Sequence, residues 1–190
     1  LFVDIVGFTQ MAESIEPEAV VTLLRYFHDR MTAQIFACGG TVEKYIGDAI
    51  FAVWGLLDAS DADAASALQC ATGMISALDG WNAERAAVGK KNLAIGIGLH
   101  LGPAVIGDVG SEQSLSFTVI GDTVNTASRL QALTRNFATP LVVSDAVVSS
   151  VKMSGAIDLL DGLRDRGDQT LRGRRGAVRV WTTTGHVPPT

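Results

Sequence analysis

The stretch TVEKYIGDAIFAVWG, residues 41–55, limits the fold more than any other part of the chain. It holds two strand-like runs around Gly47-Asp48, and a Gly-Asp pair between such runs predicts a β-hairpin with a tight turn. Residues 1–6 form a short, apolar, β-branched run stopped by Gly7, which predicts a buried strand. Residues 93–101 alternate through Leu93, Ile95, Ile97, Leu99 and Leu101, the period of a strand. VIGDVG and SLSFTVIG read as further short strands, and residues 140–143 as a buried one. From there to about residue 184, two or three strands around Gly167 and Gly173 complete a C-terminal ribbon.

Helices separate these strands. Ser14-Ile-Glu-Pro17 opens one, with a capping residue, an early acid and a proline near the first turn. Its apolar positions Val20, Val21, Leu24, Phe27, Met31 and Ile35 follow helical spacing to Gly39-Gly40. Residues 62–79 form an Ala-rich helix with Gly73 and Gly80 as weak points, residues 122–134 another, and Ser144-Asp145 caps a short one. The fold class is therefore α/β (α+β), with a mixed sheet kept partly antiparallel by the hairpin and the ribbon.

At 190 residues the chain fits one domain, residues 1–190. Hydrophobic residues at 47% and charged residues at 18% exclude intrinsic disorder. No window approaches twenty apolar residues, so no membrane span is expected. Cys38 and Cys70 cannot make a disulfide framework, and no CxxC or paired His points to zinc, so a reducing compartment is expected. The net charge of −5 argues against general nucleic-acid binding. Residues 152–179 nevertheless carry seven Lys/Arg against four Asp, a basic strip suited to a local anion contact. The chain starts inside a strand-like run with no Met and no targeting segment, as expected of a cytoplasmic domain taken from a longer protein, soluble or membrane-attached.

Asp4 sits in an apolar strand, where a carboxylate is costly to bury unless paired or metal-bound; capping of the next loop is the plainer alternative. Asp48 sits at the hairpin tip, where a Gly-Asp turn is ordinary. A strand end and a hairpin tip can meet at one sheet edge, and two carboxylates there make a hard-oxygen site for Mg²⁺ or Mn²⁺. The Gly7-Phe8-Thr9 turn can aim backbone N–H groups at a phosphate. Asn125 and Arg129, at i and i+4, share a helix face that could grip a phosphate or simply be solvated. Lys44 alternates with apolar neighbours on the hairpin's first strand, as an edge lysine would. Arg172, Arg174 and Arg175 read as lining one late strand.

Together these residues resemble the catalytic domain of class III nucleotidyl cyclases. The resemblance rests on FVDIVGFT (2–9), VEKYIGDAIFAVWG (42–55), GIGLHLGPAVIGDVG (96–110), FTVIGDTVNTASRLQ (117–131) and LRGRRGAVRVW (171–181), in family order across nearly the whole chain. It implies a ferredoxin-like core with a mainly antiparallel sheet flanked by helices, acting as a head-to-tail homodimer whose two sites are each built from both subunits. By position, Asp4, Asp48 and the backbone carbonyl of Ile5 would bind two Mg²⁺ or Mn²⁺ ions. Gly7, Phe8 and Thr9 would cradle phosphate, Asn125 would orient the ribose, and Arg129 would stabilise charge on the α-phosphate. Arg172 falls where the family usually has a triphosphate-binding lysine, with Arg174 as the alternative.

Lys44 and Thr118 fall at the positions that read the base. A lysine donates toward adenine N1, and the Thr118 hydroxyl can accept from the N6 amine. The Lys-Thr pair resembles the subgroup that includes many bacterial cyclases and the soluble bicarbonate-responsive ones, so ATP is the substrate implied, and a bicarbonate response is a further implication. Two positions depart from the pattern: Arg172 replaces lysine, and Gln113 stands near where many relatives carry an arginine. The expected function is conversion of ATP to 3′,5′-cyclic AMP and pyrophosphate, under an unknown upstream sensor. A guanylyl cyclase, a catalytically silent dimerisation or sensor domain and a nucleic-acid module are the alternatives. Lys44, the intact Asp4, Asp48, Asn125 and Arg129, and the low pI respectively speak against them.

Overall fold

In the computed structural model, which describes residues 1–111, 114–174 and 176–184, strand β1 (Phe2–Ile5) lies within a seven-stranded sheet. The hairpin expected around Gly47-Asp48 forms as β2 (Thr41–Ile46) and β3 (Ala49–Val53), and β3 pairs antiparallel with β1. On its other side β1 pairs antiparallel with β4 (Ile95–Leu99). Helix α2 (Pro17–Ala37) connects β1 to β2, and α3 (Asp63–Ala87) connects β3 to β4. This is the βαββαβ arrangement of a ferredoxin-like core. Beyond β4, the strand β7 (Leu141–Ser144) pairs parallel, and β9 (Ala177–Thr182) and β8 (Arg164–Thr170) follow antiparallel. The C-terminal ribbon thus extends the main sheet. A separate two-stranded sheet is made by β5 (Val105–Ser111) and β6 (Ser114–Ile120).

Strand periodicity sorts the two faces. Val3, Ile5, Ile50, Ala52, Ile95, Ile97 and Leu99 face α2 and α3, meeting Phe27, Met31, Ile35, Leu68 and Met74 in the main core. Burying each of these side chains larger than Ala52 is worth about 1.5–3 kcal/mol. Helix α5 (Asp145–Met153) adds Val147, Val148 and Val151 to this layer. On the opposite face, Phe2, Phe51 and Val119 cluster with Ala127 of α4 (Asp122–Phe137). Here β4 presents Gly96 and Gly98. A Cβ on Gly98 would stand 2.2 Å from the carbonyl oxygen of Ala127 and from the amide nitrogen of Gln131. The IGIGL alternation therefore gives α4 a bare groove in which its backbone rests.

Four local expectations are corrected. A five-residue helix α1 (Phe8–Ala12) follows β1 directly, and Ser14 bonds back to its Met11 carbonyl instead of capping α2, whose cap position is Glu16. Helix α3 runs through the exposed Gly80 to Ala87, because Leu78 and Trp81 on either side are buried. Ser144 precedes α5, but its hydroxyl bonds to His100 Nδ1 at 2.8 Å and not to the helix. Arg172 and Arg174 lie in the connection between β8 and β9, not within a strand. Arg175 and Gln113 lie outside the described residues.

Candidate active site

The turn at Gly47-Asp48 needs a left-handed residue, and Gly47 provides it with φ 63°. That turn brings the Asp48 carboxylate back to β1, where Oδ2 accepts from the backbone N–H of Ile5 at 3.0 Å. The strand end and the hairpin tip therefore meet, as the sequence predicted. Asp4 alternates onto the α4 face. There its Oδ1 accepts from Gln131 Nε2 at 2.6 Å and its Oδ2 from Arg135 Nη2 at 3.0 Å. Burial pushes the Asp4 carboxyl up to about 6; Arg135 opposes the shift, and the charge of Asp48 adds to it.

Asp4 and Asp48 share a half-buried spot in which Arg135, paired with Asp4, is the cation bound to a carboxylate. Asp4, Asp48 and the backbone carbonyl of Ile5 offer oxygen ligands only, and no group of three or more His, Cys, Asp or Glu gathers among the described residues. This donor set suits a hard divalent cation such as Mg²⁺ or Mn²⁺ and does not suit zinc. Gly7, with φ 70°, turns the chain from β1 straight into α1, so Phe8 and Thr9 open that helix immediately beyond Asp4 and Ile5.

Lys44 and Thr118 also meet. Lys44 Nζ donates to Thr118 Oγ1 at 3.0 Å, although the two lie 74 residues apart. Thr118 Oγ1 in turn donates to Glu43 Oε1, and Lys44 Nζ stands 3.4 Å from the same oxygen.

On α4, Asn125 is exposed and Arg129 half-buried, with Arg129 Nη1 buried and without a hydrogen-bond partner among the described residues. A Cβ on Gly173 would lie 3.5 Å from Arg129 Nη2, so the turn carrying Arg172 passes beside Arg129. Arg172 is exposed. Arg174 is tied down, with Nη1 donating to Thr126 Oγ1 at 3.0 Å and Nε standing 3.4 Å from Asp122 Oδ2.

At about 100° per residue, the Asn125–Arg129 face lies roughly 120° around α4 from the Gln131–Arg135 face that holds Asp4. One chain thus brings together Asp4, Ile5 and Asp48, and separately Lys44 with Thr118 and Arg129 with the Arg172 turn. It does not turn the Asn-Arg pair toward its own carboxylates. Sequence reasoning missed Gln131, Arg135 and Glu43. The i, i+4 spacing of Gln131 and Arg135, the same as that of Asn125 and Arg129, was a signal for the first two.

The sequence model described as the adenylate and guanylate cyclase catalytic domain matches residues 1–184. The chain belongs to this family. It is 33% identical to adenylate cyclase 1 of Rhizobium meliloti over 98% of its own length and 27% of that protein. It is 36% identical to the adenylate cyclase of Anabaena cylindrica over 84% of its length and 32% of that protein. The chain thus spans about a third or less of these curated relatives. Among solved structures it resembles the adenylyl cyclase CyaB from P. aeruginosa, with a TM-score of 0.83 and 26% identity over 97% of this chain and 91% of that one. It also resembles the guanylyl cyclase Cya2, with a TM-score of 0.78 and 27% identity over 99% and 91%. Family and fold therefore leave the choice of nucleotide to the site. No helix among the described residues is long and apolar enough to cross a membrane.

Proposed function

We propose that this domain is an adenylyl cyclase that converts ATP to 3′,5′-cyclic AMP and pyrophosphate. The observation that carries the reading is the Lys44–Thr118 contact. An ammonium donates toward the unprotonated N1 of adenine, and a hydroxyl oxygen accepts from the N6 amine. Guanine presents N1–H and O6 at the same places and meets the wrong partner at each.

In the reaction the ribose 3′-oxygen attacks the α-phosphorus in line. The bond from that phosphorus to the bridging oxygen breaks, and pyrophosphate leaves. Asp4, Asp48 and the Ile5 carbonyl would hold two divalent cations. Such ions, when bound, make the 3′-hydroxyl more acidic and offset the triphosphate charge. The N–H groups around Gly7, Phe8 and Thr9 would hold phosphate oxygens. Asn125 would orient the ribose, and Arg129, whose buried Nη1 has no partner among the described residues, would meet the charge developing on the α-phosphate. We assign the triphosphate contact to Arg172, because Arg174 is already held by Thr126 and Asp122.

We further propose that each site is shared between two copies of the chain. One copy would supply Asp4, Ile5 and Asp48; the other would supply Lys44, Thr118, Asn125, Arg129 and Arg172. Two features support this. The Asn-Arg face of α4 points away from its own carboxylates. The β5–β6 sheet also exposes apolar side chains on both faces, Val105, Val109 and Ile120 on one and Ile106, Leu115 and Phe117 on the other, as a segment that meets a partner would. A bicarbonate response, expected from the Lys-Thr subgroup, and an unknown upstream sensor belong to the same proposal. The test is incubation of the purified chain with ATP or GTP and Mn²⁺, with the product identified by mass spectrometry. Cyclic AMP formed from ATP, in large excess over cyclic GTP from GTP, is expected. Preferential cyclic GTP, or no cyclic product from a folded dimer, would overturn the reading.

A further inference from the structure

Glu43 has no place in the reaction outlined above, yet its side chain is 8% exposed and lies under the base-reading pair. Neighbouring residues of a strand ordinarily point to opposite faces. Here the β2–β3 register shifts between Val42, opposite Ala52, and Lys44, opposite Phe51, which leaves Glu43 as the extra residue of a β-bulge. A bulge re-aims a side chain. The consequence is that Glu43 and Lys44, adjacent in sequence, both reach Thr118 Oγ1.

A threonine hydroxyl has one hydrogen to donate and two lone pairs. Its hydrogen goes to Glu43 Oε1, since a carboxylate only accepts. One lone pair is taken by Lys44 Nζ, since an ammonium only donates. What remains is a single lone pair. We propose that Glu43 is a specificity-determining positioning residue: by holding the Thr118 hydrogen, it leaves that hydroxyl able only to accept from the base. This rests on the adenylyl cyclase reading. An exocyclic amine satisfies the remaining lone pair, whereas a carbonyl oxygen there faces a second acceptor and no hydrogen. Without Glu43 the hydroxyl could rotate and donate to a carbonyl. Glu43 Oε2 is itself buried without a partner among the described residues, so the carboxylate is held at the cost of an unsatisfied acceptor, an arrangement that packing alone does not require.

The test compares kcat/KM for ATP and GTP, and binding of non-hydrolysable ATP and GTP analogues, in wild type, Glu43→Met and Glu43→Val. Both variants remove the acceptor, so misfolding of one leaves the other. The ATP-to-GTP ratio should fall about tenfold or more in kinetics and in binding. Glu43→Gln keeps one acceptor oxygen in the same shape and should restore most of the preference. In a Thr118→Val background, Glu43→Met should leave the ratio unchanged, because the effect passes through the hydroxyl. The wild-type chain gives an independent readout: inosine triphosphate, with a carbonyl at the 6-position, should bind at least about tenfold more weakly than ATP. An unchanged ratio in the acceptor-less variants would overturn the proposal, as would an effect that persists in Thr118→Val or inosine triphosphate binding equal to ATP. A wild-type chain that prefers GTP would instead overturn the adenylyl cyclase reading beneath it.

Discussion

Gly98→Ala should damage both the fold and the site, and the structure says by how much. The added methyl would lie 2.2 Å from two backbone atoms of α4, the Ala127 oxygen and the Gln131 nitrogen. Favourable contact needs about 3.5 Å, so the helix must retreat by roughly 1 Å. No flexible side chain can yield in its place. Overpacking of this kind costs about 1–3 kcal/mol, and a backbone obstacle puts Gly98→Ala at the upper end, about 3 kcal/mol. The same helix carries Asn125 and Arg129 on one face and the Asp4 partners Gln131 and Arg135 on another. A shift of about 1 Å in such groups lowers turnover about 100-fold. Urea unfolding and cyclase activity measure the two effects separately. Gly80→Ala is the control: among the described residues nothing outside its own helical backbone lies within 4 Å of its Cβ, so it should stabilise α3 by about 0.5–1 kcal/mol and leave activity unchanged. A Gly98→Ala protein with wild-type stability and activity would refute the account of how α4 sits on the sheet.

Asp4→Asn and Asp48→Asn should each lower activity at least about 100-fold, about 2.7 kcal/mol of transition-state stabilisation, while the chain stays folded by circular dichroism. Folding should survive because an amide oxygen can still accept from Gln131 or from the Ile5 N–H; activity within about tenfold of wild type would remove the metal assignment. Lys44→Glu should depress ATP use at least about 100-fold and GTP use far less, as measured by kcat/KM for each; an unchanged ratio would show that Lys44 does not read the base. Burial, assisted by the charge of Arg174, pushes His100 down to about 4 from an ordinary 6.5. The unfolded chain therefore binds the extra proton first, and stability that is fully present above about pH 6.5 is lost as pH falls toward 4. Relative to His100→Asn, wild type should lose about 1 kcal/mol between pH 7 and 5 after allowance for partial exposure; parallel stability curves would contradict this.

The hairpin, the alternation of β4 and the 3.6-residue period of α2 were legible because each states its own period in apolar residues. The meeting of Asp4 with Asp48 was legible as a possibility, since a strand end and a turn tip are both marked by glycine. Helix α1 was not, because five residues carry less than two turns of pattern. Helix α3 outran its expected end because burial of Leu78 and Trp81 outweighs the roughly 1 kcal/mol that a helical Gly80 costs. Arg172 and Arg174 mimicked an edge strand, but Gly173 between them, with φ 72°, makes a turn, and that turn passes beside Arg129. Glu43 escaped notice because a bulge is a property of two strands together, and alternation along one strand points Glu43 away from Lys44.

The proposal of a shared site is tested most directly by mixing two inactive proteins, Asp4→Ala and Arg129→Ala. Each homodimer carries two defective sites. A mixed dimer places both lesions in one site and leaves the other whole. Random pairing of equal amounts makes about half the dimers mixed, so about a quarter of all sites should be intact. Cyclic AMP formation from ATP should return to about that fraction of wild type and fall on dilution as the dimer dissociates. Demonstrated subunit exchange with no return of activity would contradict the account.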